Sequence, residues 1–235
     1  LGDRLVAAAL DGATTRLTPP PLQRYLDASG LKLTPAAYAA RTIRDALARQ
    51  VAAGEYEDPR ALLLGANDAL GRAMRDLFGE LALERMGFPE EVYTALKGDP
   101  RYVRLGLPAC VGTVLEYDPQ AEVLRFASAG DTALLVVYRD GSVSIPTENQ
   151  VEAYDNQVLK AALNLRQAKP NLTFRELVTQ PQIRKLNLNT GLKHNYVDEH
   201  GLPQPHQGIG VINGQPELRY FVQHETIELA GVAYV

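Results

Sequence analysis

The sequence predicts an α+β protein with layered antiparallel sheets, and three observations carry that prediction. Four β-rich runs in the middle of the chain, "ACVGTVLEYD" (109–118), "AEVLRFASAG" (121–130), "DTALLVVYRD" (131–140) and "GSVSIPT" (141–147), are separated by Asp-Pro, Gly-Asp and Asp-Gly. All three are turn dipeptides, so the runs read as a meander of antiparallel strands. Helical periodicity occurs in pairs, before and after that meander. The resulting order is strand, two helices, meander, two helices and further strands, which is not the alternation of a β-α-β wind.

Taken in order, "RLVAAAL" (4–10) is a short, almost continuously apolar run that reads as a buried strand, although an alanine-rich run also suits a helix. Thr34 offers an N-cap with Pro35 at the first helical position, and Ala36, Ala39, Ala40, Ile43 and Leu47 follow at helical spacing. The small alanines predict close packing on something flat. Asp58-Pro59 repeats the start signal, and Leu62, Leu63, Ala66, Leu70, Ala73 and Leu77 form one apolar stripe, with the acids and bases of 59–85 on a solvated face. "TALLVVY" (132–138) is apolar without alternation, which predicts a strand covered on both faces, by a second sheet and by helices. A helix over roughly 152–167 comes next. Another is opened by the capping box Thr173-Phe174-Arg175-Glu176. Residues 190–208 read as an exposed loop, and "GIGVIN", "LRYFVQHE" and "GVAYV" as further strands.

Composition narrows the function classes. With 235 residues, 46% of them hydrophobic, the chain is long enough for one well-filled domain. A net charge of −4 and a pI near 5.6 argue against a surface that coats phosphates, so no nucleic acid is expected. No apolar run approaches the roughly 20 residues of a membrane span, so no membrane is expected either. A single cysteine excludes an internal disulfide and a thiolate zinc cluster, and nothing reads as a secretory signal. The expectation is a cytoplasmic globular protein. The chain begins without methionine and ends in the apolar "LAGVAYV", which suggests a segment of a longer protein.

Two acids stand beside glycines at predicted strand ends. Asp11-Gly12 closes the first strand: it is either a turn or a strand end that holds a charge, where the Asp11 carboxylate and the Gly12 carbonyl are hard donors suited to Mg²⁺ or Mn²⁺. At Gly12 a side chain would block the ion or the substrate, while Thr14 and Thr15 are outer hydrogen-bonders or loop formers. Asp131 follows an Ala-Gly turn and opens another buried strand, which is a hairpin turn or a second ligand. Other features carry less. "GIGVING" (208–214) is GxGxxxG, the wrong spacing for a dinucleotide loop, and no helix clearly follows. His194, His200 and His206 are spaced by six and fit no local helical metal site, and Cys110 among strand residues reads as core.

In this order, "LVAAALDGAT", "PACVGTVLEYDPQAEVLRFASAGDTALLVVYRDGSV" and "GIGVINGQPEL" resemble the metal-dependent, type 2C protein serine/threonine phosphatases, bacterial members in particular. The resemblance implies a four-layer α-β-β-α sandwich of two antiparallel sheets flanked by helix pairs. It also implies a Mn²⁺ or Mg²⁺ centre, where a metal-held water attacks a phosphoserine or phosphothreonine of a phosphorylated protein substrate with no covalent phosphoenzyme. Carried over, Asp11 bridges two ions and acts in catalysis, Gly12 gives its carbonyl to one ion, and Asp131 stands near an additional, weaker metal position.

The chain also departs from that family. The expected acid and phosphate-binding arginine on a preceding strand, and a Ser/Thr-Asp-Gly and an Asp-Asn after "GVAYV", are not within these residues. Tyr154-Asp155-Asn156 lies too early for the Asp-Asn, and Thr132-Ala133 replaces the usual Ser-Arg. The expectation is therefore a single phosphatase-like domain over 1–235, incomplete at both ends. The rival is a catalytically inactive pseudophosphatase serving as a binding or regulatory module.

Overall fold

The computed structural model describes residues 4–13, 17–30, 32–204 and 207–234. Strand β1 (Leu5–Ala13) is followed by helices α1 (Pro20–Ala28), α2 (Pro35–Ala53), α3 (Pro59–Phe78) and α4 (Glu90–Leu96). A 3₁₀ stretch, Pro100–Gly106, leads into the long strands β2 (Ala109–Asp118) and β3 (Val123–Ala129) and the short β4 (Val136–Tyr138) and β5 (Val143–Ser144). Helices α5 (Glu152–Ala168), α6 (Phe174–Val178) and α7 (Pro181–Gly191) come next, then β6 (Gln223–Glu228) and β7 (Val232–Tyr234).

The helices begin where their caps place them. Thr34 Oγ1 accepts the Ala37 N–H at 3.1 Å, and Asp58 Oδ1 accepts that of Ala61 at 2.7 Å. Each such cap satisfies a backbone donor that the first turn leaves free and is worth about 1 kcal/mol. The Thr173–Glu176 box forms as expected, but it opens a helix of only five residues, after which Pro181 starts α7. Helices α1 and α4 were not anticipated, although Pro20 and Pro21 in the first turn of α1 are a start signal of the kind found at Pro35 and Pro59.

The fold is α+β with two antiparallel sheets, in the strand orders β1-β2-β3-β6 and β5-β4-β7. Side chains of a strand alternate between its faces, and β2 and β3 use both. Cys110, Val114, Ala127 and Ala129 pack under α2 and α3 with Ile43, Leu62 and Leu70. Leu115, Leu124 and Phe126 turn the other way and meet Leu134 and Val136 of the second sheet region. The α2–α3 pair therefore covers one face of the large sheet and the small sheet covers part of the other. Helix α5 reaches the core at its start, where Val151 and Tyr154 pack with Ala109, Val111, Ile209 and Val211.

Three sequence expectations change. First, β1 is an edge strand and is not buried: Leu5 is 65% exposed and Ala7, Ala8 and Ala9 are exposed. An apolar run of small residues satisfies an edge as readily as a core, because alanine buries little area wherever it sits. Second, "TALLVVY" does alternate, with Leu134 and Val136 buried and Leu135 49% exposed, so one face is covered rather than two. Only its last three residues pair as β4. Third, "GIGVIN" does not form an extended strand. It lies buried and touches the sheet through one bridge, where Cys110 and Ile212 exchange N–H···O bonds of 3.0 and 2.8 Å.

Nor is 190–208 simply an exposed loop. Asn195 is fully buried and its side-chain amide pairs with the Val211 backbone, donating to the carbonyl at 2.7 Å and accepting the N–H at 3.0 Å. Much of "LRYFVQHE" is the 3₁₀ turn Pro216–Tyr220 and the strand starts at Gln223. No helix among the described residues is long and apolar enough to cross a membrane.

Candidate functional site

Strands β1 and β3 both run antiparallel to β2, so they run parallel to one another and finish at the same end of the sheet. Asp11 is paired with Val111, and Gly112 with Ala129, which sets Gly130 beside Val111 from the other side. A Cβ built on Gly130 would lie 2.3 Å from Val111 Cγ1. Asp11 and the Gly130–Asp131 turn thus flank one valine, two strand spacings of about 4.8 Å apart.

Asp11-Gly12 is neither a turn nor a strand end. The strand continues through both residues to Ala13, with Gly12 paired to Cys110. A Cβ on Gly12 would lie 2.9 Å from Ala36 Cβ and 3.2 Å from Ala36 C, in the first turn of α2. The glycine is therefore required by the close approach of a helix to a strand, whatever else approaches that edge. Asp11 is exposed, and its charge reaches Cys110. The Cys110 thiol is fully buried and pushed up to about 12, mainly by burial and then by Asp11, so it stays protonated and inert as a nucleophile.

The Asp131 turn is built differently. Gly130 has φ +91°, a conformation that disfavours side chains. Gln150 staples it: its Oε1 accepts the N–H of Gly130 at 3.0 Å and that of Gly210 at 2.8 Å, while its Nε2 donates to the Phe221 carbonyl at 2.8 Å. Beneath the turn, the hydroxyls of Thr113, Ser128 and Thr132 form a closed triangle of 2.8, 2.8 and 3.2 Å. Thr132 ties the turn to β2 and β3. Asp131 itself is exposed and does not open a strand, since β4 begins five residues later.

An acid that the sequence had set aside joins it. Asp155, in the first turn of α5, has its carboxyl raised above the usual range, first by burial and then by the negative charge of Asp131. The two carboxylates therefore lie near enough to feel one another's charge. No motif spacing shows this proximity, because it depends on how α5 leaves the Gln150 staple.

Among the described residues, no group of three or more His, Cys, Asp or Glu side chains is placed to hold a metal ion. The described residues do not assemble a binuclear donor set. His200 sits 3.6 Å from the Glu199 carboxylate on the surface, and His194 bridges to Ile209 through its backbone. Thr14, Thr15 and His206 lie outside the described residues.

The glycines of "GIGVING" serve packing. Cβ atoms on Gly208 and Gly210 would strike Phe221, and one on Gly214, at φ +84°, would lie 2.6 Å from Gly71 Cα in α3. Buried Asn67 locks that crossing, accepting the Gly214 N–H and donating to the Gln215 carbonyl, both at 2.9 Å.

No protein-family model matches the chain, and no curated protein matches it. Among solved structures it is similar to a Stage II sporulation E family protein from Thermanaerovibrio acidaminovorans, at 15% identity and a TM-score of 0.37. The match covers 63% of this chain and 50% of the other, so the chain spans half the length of that protein.

Proposed function

We propose that this chain is a type 2C-like phosphatase domain acting on phosphoserine or phosphothreonine in proteins, with Mn²⁺ or Mg²⁺ as cofactor. The observation that supports this best is the meeting of β1 and β3 at one sheet end, with Asp11 and Asp131 on the two sides of Val111. A divalent ion held by such carboxylates lowers the pKa of a bound water and offsets phosphate charge. The chain's own part is placement. Gln150 and the Thr113–Ser128–Thr132 triangle hold the Asp131 turn, the Asp155 carboxyl in α5 feels its charge, and the pairing with β2 fixes Asp11 on the opposite flank. Hydrolysis of a phosphopeptide with Mn²⁺, compared between the unaltered chain and Asp11→Ala, tests the reading. A drop of at least about a hundredfold is expected for a residue acting on the reacting centre, and an unchanged rate removes Asp11 from the mechanism.

A second reading, a pseudophosphatase that binds without turnover, is favoured by the lack of a three-membered donor group among the described residues. Turnover separates the two, since hydrolysis of a phosphopeptide by the unaltered chain would rule out the binding module. Weak binding of Mn²⁺ is expected by calorimetry, and tight binding of two ions by residues 1–235 would overturn that expectation.

A further inference from the structure

A cleft of about 370 Å³ opens between the Pro100–Gly106 stretch, α5, α7 and the turn that follows α7, and neither Asp11, Asp131 nor Asp155 lines it. Its walls combine charge with flat rings: Arg101, Tyr102, Tyr154, Asn189, Lys193 and Tyr196. Two cations converge on one ring. Lys193 Nζ lies 4.0 Å from the centre of the Tyr196 ring, and Arg101 Cζ lies 5.7 Å from it.

The two cations differ in what they already hold. Arg101 is committed, because Asp99 takes its Nε at 2.8 Å and its Nη2 at 2.5 Å, and the Val197 carbonyl takes Nη1 at 3.4 Å. Lys193 is half-buried, forms no ion pair among the described residues, and holds its ammonium over the ring face. Behind the wall, Arg104 is 4% exposed and donates to the carbonyl of the lining residue Leu192 at 3.0 Å, and among the described residues it has no ion-pair partner and its Nε has no hydrogen-bond partner. Asp99 thus neutralises one of three cations, and Glu217 acts on Arg104 from beyond ion-pair distance. This is a pocket of positive charge in a chain of net charge −4.

A ring face stabilises an ammonium less than an anion in direct contact with it does. The cleft also has the size of small-molecule sites, which run from about 300 to 1,000 Å³. We propose that this cleft binds a small organic anion, with its charged head on Lys193 and its flat body among the Tyr102 and Tyr154 rings that share the lining. The site stands independently of the phosphatase reading.

Calorimetry with phenylphosphonate tests it, since that compound has no ester bond for a phosphatase to cleave. Benzyl alcohol supplies the ring without the charge and inorganic phosphate the charge without the ring. Phenylphosphonate is expected to bind once per chain, more tightly than either fragment, in metal-free buffer. Lys193→Met should weaken it at least about tenfold through loss of the charged contact, and Tyr102→Leu about fivefold through loss of the ring. Asn189→Asp, which puts a negative charge in the same wall, should weaken it too, and covers the case in which Lys193→Met melts early. Asp131→Asn should leave the affinity unchanged. Absence of phenylphosphonate binding, equal binding of phosphate alone, or affinity lost in Asp131→Asn but kept in Lys193→Met would each overturn the proposal.

Discussion

In β1 the Asp11–Gly12 pair lies inside a paired strand, and Gly12 has no positive φ; its α-carbon is covered by Ala36 of α2. After β3 the Gly130–Asp131 pair makes a turn, with Gly130 at φ +91° and its α-carbon against Val111. Both pairs look alike as dipeptides and both arrive at the same sheet end. One glycine is needed for space alone, the other for space and backbone conformation together. A dipeptide therefore names a set of permitted conformations, and the packing around it selects one.

Substitutions that add a single methyl group measure that difference. Gly130→Ala should have the largest effect, because strain at positive φ and overpacking on Val111 act together: a loss of about 3–5 kcal/mol is expected from the two terms. Denaturant unfolding reads it directly, and a loss below 1 kcal/mol would mean the turn relaxes freely. Gly12→Ala should lose about 1–3 kcal/mol by overpacking alone. Adding Ala36→Gly should restore much of that loss, since the clash is with that residue, and a double-mutant cycle with no coupling would sink the packing explanation.

The smallest effect concerns the charge beside Gly130. Asp155 is raised in the folded protein, so the native state binds its proton at a pH where the unfolded chain has released it. Stability from this group is fully present below the ordinary Asp value near 3.8 and falls as pH rises through the raised folded value. Asp131→Asn removes the second cause and leaves burial, so the Asp155 titration should move down part of the way, as seen by carboxyl NMR. The variant should also gain stability above that window, whereas an unmoved Asp155 titration would separate the two carboxylates.

Much of the fold was legible because its signals are local. The caps at Thr34, Asp58 and Thr173 act within one turn, and the stripe of Leu62, Leu63, Ala66 and Leu70 needs only helical spacing to be read. The illegible parts share a different cause. Asn67, Asn195 and Gln150 look like surface amides in sequence, yet each is paired with backbone groups 60 or more residues away or across a buried loop. Glu116, 1% exposed, is carried into the sheet beside Arg125 at 2.9 Å, and no composition rule points to it. The β1 reading failed because hydrophobicity reports what a residue tolerates, and an edge tolerates alanine.

For the candidate site the division is the same. By itself the sequence determined the chemistry on offer: two glycine-flanked acids in order along strands, hydroxyls at Thr113, Ser128 and Thr132, and tyrosines and cations around 101 and 193. Only the tertiary structure decided which of these meet. It put the Asp155 carboxyl within range of the Asp131 charge, gave Gly12 to α2, and drew Arg101 and Lys193 onto one ring. The physical reason is that capping and periodicity act over a few residues, while charge repulsion, ring contact and the clash of a single methyl group depend on atoms brought within a few ångströms by distant parts of the chain.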